Sequence, residues 1–290
     1  MTETVRCFCP GHITAFFEVC DGAEDPLEVG SRGVGMSISL GSTSEVEFEQ
    51  SDDLDISIEV DGDRSDSPVT FDAIKYLIGN QKCKVAVRTT SDLPVGQGFG
   101  MSASGALSAA IALCEIMGIP RQKAFEACHV AEVRNGTGLG DVAGIFAGGF
   151  EVRREPGLPP KGAVETLDIG AELVLGVIGD PISTSEFLTD RKHREKISAA
   201  GKVCMEAFYE DPTLDCMFAL GLEFVEEAEL FSIEVLRAVA AADQYGMASM
   251  VMLGNAVFSA GDIEKIEDAL SPFGPTFRCA IDRKGPRIVP

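Results

Sequence analysis

PVGQGFGMSASGA, Pro94 to Ala106, runs straight into the small-residue stretch LSAAIALCEIMG, Leu107 to Gly118. Gly96, Gly98 and Gly100 let the backbone approach a bulky group and adopt φ values other residues avoid. Met101, Ser102, Ala103 and Ser104 open a helix, whose free N–H groups and partial positive charge suit a phosphate. Ser102 and Ser104 add hydroxyls that can cap the helix, touch phosphate oxygens or ligate a metal. Pro94, Gly96, Gly98, Gly100, Met101, Ser102, Ala103 and Ser104 are therefore the candidate nucleotide-binding residues. No Gly-Lys-Ser/Thr follows the glycines, so this is not a Walker A loop. Gly98-x-Gly100-x-x-Ala103 satisfies the loose dinucleotide fingerprint, but Ser91–Gln97 separates it from the strand candidate Lys82–Thr90, and Pro94 breaks any continuation. The plain alternative is a Gly-rich turn before a core helix. Seven small residues at one helix entrance weigh against it.

Outward from the loop, alternation and turn signals divide the chain. Residues 4–20 read as a strand, a tight Pro10-Gly11-His12 turn and a second apolar segment. A Gly- and Asp-rich loop follows, then strands at Met36–Leu40, Ser44–Gln50, Leu54–Val60 and Lys82–Thr90, with a helix at Thr70–Ile78. The loop leads to helices Ser102–Met117 and Gln122–Val133. Asn135–Gly149 is a second Gly-rich stretch, and Phe150–Arg154 is a strand. Beyond a Pro/Gly loop lie a strand at Glu172–Ile178 and helices at Arg191–Phe208, Leu214–Ala228 and Ile233–Ala242. Strands at Met247–Leu253 and Thr276–Asp282 flank a helix at Asp262–Leu270. Strands and helices do not alternate regularly, which argues α+β. The expected division is a domain of residues 1–165 carrying the phosphate loop and a second of residues 166–290.

Two carboxylates complete the candidate site. Glu132 stands at the end of helix Gln122–Val133, where the macrodipole disfavours an anion; binding a cation would give it a reason to be there. Asp141 sits among Gly136, Gly138 and Gly140, where backbone can approach a ligand. A kinase without a Walker motif needs a phosphate cradle, oxygen ligands for Mg²⁺, a group orienting the acceptor hydroxyl, and clamps on the acceptor. Ser102 and Glu132 suit the metal, and Asp141 suits the hydroxyl. Singly, each carboxylate reads as a solvated acid; together with the loop they read as a catalytic set.

At 290 residues, 45% hydrophobic and without Trp, the chain can bury a sizeable core. Ala103–Met117, the longest apolar stretch, falls short of the roughly 20 residues of a membrane span. The N-terminus has no basic region followed by an apolar run, so no signal peptide is expected. Nine scattered cysteines contain no C-x-x-C pair and suit a reducing cytoplasm. Cys7-x-Cys9-x-x-His12 could be half a metal site, but strand alternation explains the two thiols. The net charge of −22 repels nucleic acid and anionic lipid. Against that field, an anionic substrate draws attention to Arg32, Arg134, Arg153 and His129.

PVGQGFGMSASGA resembles the P-x3-G-L-G-S-S-A signature of the GHMP kinases, with Phe99 for Leu and Met101 for the first Ser. Glu132 and Asp141, followed by Gly148-Gly149, match the superfamily's glutamate and aspartate in order and approximate spacing. The superfamily's third motif, GAGGG, is missing; Met252-Leu253-Gly254-Asn255 stands near its place. CPGHITAFFEVCDGAEDPLEVGSRGVG is similar to the PGHIT and GSRG segments of archaeal pantoate kinases. The HVAEVRNGTGLGDVAG, DPISTSEFL and MLGNAVF segments resemble them too. The resemblance implies the two-domain GHMP fold, ribosomal-protein-S5-like and then ferredoxin-like, with the active site between. It also implies transfer from ATP, with Mg²⁺, to pantoate, giving 4-phosphopantoate in archaeal coenzyme A synthesis. Arg153 is then the first choice for the pantoate carboxylate, with Ser31 and His129 as helpers and Arg32 and His12 as further candidates. A mevalonate- or homoserine-type kinase and a catalytically silent ligand-binding homologue stay open. No nucleic-acid or membrane partner is expected, and a homodimer is left open.

Overall fold

The structure is a computed structural model that describes residues 2–181 and 191–290. Most of the DPISTSEFL segment therefore lies outside the described residues.

The N-terminal hairpin is longer and more continuous than its sequence suggests. β1 (Glu3–Cys20) and β2 (Gly30–Gln50) pair antiparallel along almost their whole length. The expected turn at Pro10-Gly11-His12 is instead a register shift between Pro10 and Gly11 within one strand. Met36–Leu40 and Ser44–Gln50 are likewise one strand. Its first half pairs with β6 (Phe150–Glu155) and its second with β5 (Cys83–Ser91). Gly41 makes this possible: a Cβ there would lie 2.0 Å from the Cys9 carbonyl oxygen. Glycine thus bends the pair without breaking the ladder. The bend also divides the core. β1 gives Cys7 and Cys9 to one apolar cluster and Ile13, Ala15, Phe16 and Phe17 to the other.

The first sheet has eight strands among the described residues. β12 (Arg287–Val289), β1, β2, β5, β3 (Asp55–Val60) and β4 (Asp63–Arg64) lie in that order, and β6 joins β2 to β7 (Ala163–Leu167). Helices α1 (Pro68–Ile78), α2 (Met101–Met117), α3 (Gln122–Asn135) and the short α4 (Asp141–Ala147) belong to the same part. α2 is buried almost all round, which its Ala, Ser and Gly residues permit by letting it lie close on β1 and β2. Left-handed glycines bound it, Gly100 at φ 63° before it and Gly118 at φ 64° after it.

The second sheet starts five residues after β7. Its order is β11 (Thr276–Ala280), β8 (Glu172–Val177), β10 (Ala256–Gly261), β9 (Gly246–Met250), antiparallel throughout. Helices α5 (Arg191–Glu210), α6 (Leu214–Glu227) and α7 (Ile233–Ala242) lie between β8 and β9, and α8 (Ile263–Leu270) between β10 and β11. The resulting β-α-β-β-α-β succession is the ferredoxin-like arrangement. β10 has no counterpart in the sequence reading. Its AVFSAG is a short, mostly apolar run without alternation, which periodicity alone does not separate from a loop or helix fragment. No helix among the described residues is long and apolar enough to cross a membrane.

Candidate active site

The phosphate-loop candidate, the Gly-rich turn after α3 and the end of the 252–253 segment enclose a cleft of about 310 Å³. Gly96, Gly98, Gly100, Met101 and Ser102 line one side; Glu132, Gly138, Gly140 and Asp141 line another, with Thr14, Ser31 and Leu253 also contributing. The loop takes the shape its glycines predict, with φ 80° at Gly96, 78° at Gly98 and 63° at Gly100. It is pressed against the second half of the molecule. A Cβ on Gly98 would lie 2.5 Å from the Met252 carbonyl oxygen, and one on Gly254 would lie 2.1 Å from that of Gln97. The Gln97 amide donates to the Gly179 carbonyl at 2.8 Å. Met252-Leu253-Gly254-Asn255 therefore supports the loop from behind.

Not every residue of the sequence motif faces the cleft. Ser104 is fully buried; its hydroxyl donates to the Cys9 carbonyl at 2.7 Å and accepts from the Ser42 N–H at 2.9 Å. Those bonds fasten α2 to the β1–β2 hairpin and leave the side chain unable to serve as a phosphate contact. Ala103 is a core residue beneath the first turn. Pro94 is exposed ahead of the loop and does not line the cleft. Ser102, by contrast, is exposed into it.

The two carboxylates arrive from different elements. α3 ends at Gly136, whose φ of 65° turns the chain so that Thr137 N–H reaches the Glu132 carbonyl at 3.2 Å. Gly138 is thereby folded over the Glu132 side chain, and a Cβ there would lie 2.2 Å from Oε2. Glu132 is only 2% exposed and has no cationic partner among the described residues. Burial, and then the charge of Asp141, push its carboxyl well above the usual carboxylate range. Asp141 is not held in a turn, as the glycines around it suggested. It is the first residue of α4, where a carboxylate favours the helix dipole.

Beneath Asp141 lies a buried polar array. His12 Nδ1 is 2.9 Å from Asp141 Oδ1, and His12 Nε2 is 2.9 Å from Glu151 Oε1. Burial alone would lower the His12 pKa, but hydrogen bonds to the two carboxylates outweigh it and raise the value. Arg153 pairs with Glu151 and donates to Thr14 Oγ1 at 3.2 Å. It is 1% exposed, so it is not a surface arginine at a strand end. Its Nε has no partner among the described residues and lies behind Gly140, an ideal Cβ on which would be 2.9 Å from it; Gly140 and Ser31 line the cleft, and Arg153 itself does not.

The other candidates fall elsewhere. His129 Nε2 approaches the Pro26 and Val29 carbonyls at 3.2 and 3.0 Å, and burial lowers its pKa. It does not line the cleft; it ties α3 to the segment that leads into Ser31. Arg32 points to the opposite face of β2, where it meets Glu18 at 3.0 Å and the Arg154 carbonyl at 3.0 Å. Cys7 and Cys9 are core thiols, and His12 is taken by carboxylates, so that trio is no metal site. The sequence reading missed Glu151. Its signal was present: Glu151 and Arg153 stand two apart on a strand, which places both on one face.

The oxygen donors of the cleft fit Mg²⁺. Ser102 supplies a hydroxyl and Glu132 a buried, unpaired carboxylate. Among the described residues no group of three or more His, Cys, Asp or Glu could hold a metal alone. An ion bound here would complete its shell with phosphate oxygens and water, as Mg²⁺ usually does.

A Gly-rich loop at a helix start, facing an unpaired buried glutamate and an aspartate across one cleft between an S5-like and a ferredoxin-like part, defines a small-molecule kinase of the GHMP class. Residues 69–149 match the GHMP kinases N terminal domain. Pantoate kinase of Thermococcus kodakarensis is 34% identical over 272 residues, covering 91% of this chain and 90% of that one. Pantoate kinase of Methanocaldococcus jannaschii is 31% identical over 273 residues, covering 91% and 95%. A solved structure described as a phosphotransferase related to the CoA biosynthesis pathway superposes with a TM-score of 0.89 at 30% identity, covering 99% of both chains. The chain belongs to the pantoate kinase family of the GHMP kinases, and it is an ATP-dependent kinase.

Proposed function

We propose that this enzyme transfers the γ-phosphoryl group of ATP to the terminal hydroxyl of pantoate, giving ADP and 4-phosphopantoate. The observation that carries the reading is the Nε of Arg153, unpartnered among the described residues and buried directly behind Gly140, which lines the cleft together with Ser31 and Asp141. A buried donor without a partner is costly. A small acceptor with a carboxylate satisfies it while bringing its hydroxyl toward Asp141. The acceptors of the curated relatives agree with this.

In this reading Gly96–Ser102 receives the nucleotide phosphates through backbone N–H groups and the α2 N-terminus. Ser102 and Glu132 would hold Mg²⁺, which would neutralise charge on the phosphates when bound. Asp141 accepts a hydrogen bond from the acceptor hydroxyl and aligns its oxygen with the phosphorus; in a loose transition state, alignment matters more than early proton removal. Thr14 and Ser31 lend polar contacts to the acceptor, and Arg153 takes its carboxylate. The Gly-rich turn 136–140 walls the reaction from water. Residues 1–165 and 166–290 act as the two halves around this cleft, and the enzyme works in the cytoplasm.

The test is a panel of acceptors with ADP release as the readout. Pantoate is expected to be used with kcat/KM at least ~100-fold above galactose, which has no carboxylate to pair with the buried cation, and above mevalonate, whose carboxylate lies one carbon further from the hydroxyl, and homoserine, which brings an ammonium group where pantoate has a hydroxyl. Preference for another alcohol would overturn the acceptor. ATP binding with no turnover on any of them would overturn the reaction.

A further inference from the structure

We propose that Glu151 is a positioning residue for phosphoryl transfer: it fixes the imidazole of His12 so that Nδ1–H is presented to one oxygen of Asp141. This inference rests on the role of Asp141 given above.

The geometry is a straight relay of two hydrogen bonds. Asp141 Oδ1, His12 Nδ1, His12 Nε2 and Glu151 Oε1 are joined by two contacts of 2.9 Å each. A neutral imidazole donates from one nitrogen only. Two acceptor carboxylates, one at each nitrogen, therefore select the ring that carries both protons. The ring has no freedom to turn away. Ideal Cβ atoms on Gly35 and Gly144 would lie 2.9 and 2.3 Å from its Nε2, so backbone of β2 and α4 closes on both sides. His12 N–H also donates to the Phe99 carbonyl at 2.9 Å, tying the same residue to the phosphate loop. Glu151 and His12 are both fully buried, while the Asp141 side chain keeps 28% exposure in the cleft.

The charged groups facing His12 are Asp141 from α4 and Glu151 and Arg153 from β6, with Arg153 at 3.5 Å from Nε2. Arg153 pairs with the same oxygen of Glu151 that His12 uses. That oxygen thus serves the acceptor-binding arginine and the catalytic aspartate together. Glu151 is no mere counterion to Arg153, because the ion pair alone requires no contact with His12. The consequence for catalysis is positional: with Oδ1 occupied by His12, Asp141 meets the acceptor hydroxyl with its other oxygen, in a fixed plane.

The test pairs a variant with a measurement on the unmodified enzyme. Glu151→Gln keeps shape and an acceptor oxygen but removes the charge. Its kcat with pantoate is expected to fall about 10–100-fold while the KM for ATP stays within twofold. The pH above which kcat declines is expected to move down by about one unit, because His12 loses one of the carboxylates that hold its proton. Unchanged kcat and pH profile would overturn the proposal. So would a loss confined to the KM for pantoate, which would leave Glu151 serving Arg153 alone. Should the variant fail to fold, ¹⁵N NMR of the histidine rings in the unmodified protein decides: both His12 nitrogens protonated at pH 7 is expected, and a neutral ring there contradicts it. Wild-type enzyme inactive on pantoate would instead count against the proposed acceptor and leave the ring measurement standing.

Discussion

Glu132 is the residue at which burial and chemistry are most directly linked. A carboxyl at 2% exposure, facing Asp141 and paired with no cation among the described residues, is disfavoured as an anion. Its pKa is raised, so the ligand-free protein holds a proton there above the ordinary carboxylate range. Metal ligation requires the anion. Binding of Mg²⁺–ATP is therefore expected to be accompanied by proton release and to tighten as pH rises. Calorimetric titration in buffers of different ionisation enthalpy measures this directly, and binding without proton release would contradict the metal role of Glu132. The same sign applies to stability: folded protein binds the proton more strongly than unfolded chain, so this group's contribution weakens as pH rises. Sequence made Glu132 visible only as an acid in an awkward place, at the end of a helix. Its burial comes from Gly138 folding over it, a tertiary fact.

At the level of elements, the helix entrance was legible and the long strands were not. Gly100 and Gly118 mark the limits of α2, and both limits fall within a residue of those read from the sequence. The hairpin was divided wrongly because Gly, Pro and Ser within β1 and β2 are turn signals in isolation. In the fold they mark a bend where one strand passes from the first core to the second. Ser104 shows the same limit. Its motif position suggests phosphate, yet its depth in the helix turns it toward the Cys9 carbonyl. The phosphate loop itself depends on the segment behind it. Gly98→Ala would put a Cβ against the Met252 carbonyl at φ 78°, a conformation that costs non-glycine residues about 1–3 kcal/mol. Its KM for ATP is expected to rise at least ~10-fold, with the KM for pantoate changed little. Steady-state kinetics with each substrate varied in turn checks this, and equal effects on both would mean the loop does not belong to the nucleotide alone.

Over the whole molecule the two sheets share apolar contacts. Phe150 of the first sheet stacks against Phe208 of α5, Phe16 meets the same ring edge to face, and Phe17 meets Phe224 of α6. The chain's last strand returns to β1, with Arg287 over the Phe8 ring. Such continuity predicts one cooperative unfolding transition in calorimetry; two resolved transitions would mean that the halves are stable separately. It also explains why the cleft was only half legible. Gly96–Ser102, Glu132 and Asp141 are close in sequence and carry a recognisable order. Thr14, Glu151 and Arg153 join them only because β1 and β6 lie on either side of β2. The account as a whole is tested most directly by comparing wild type with Asp141→Asn on ATP and pantoate, with the product identified by ³¹P NMR. It predicts a phosphomonoester on the terminal hydroxyl from the wild type. It also predicts a loss of at least ~100-fold in turnover for the variant, with ATP binding retained. No phosphopantoate from the wild type, or near-normal turnover by the variant, would contradict it.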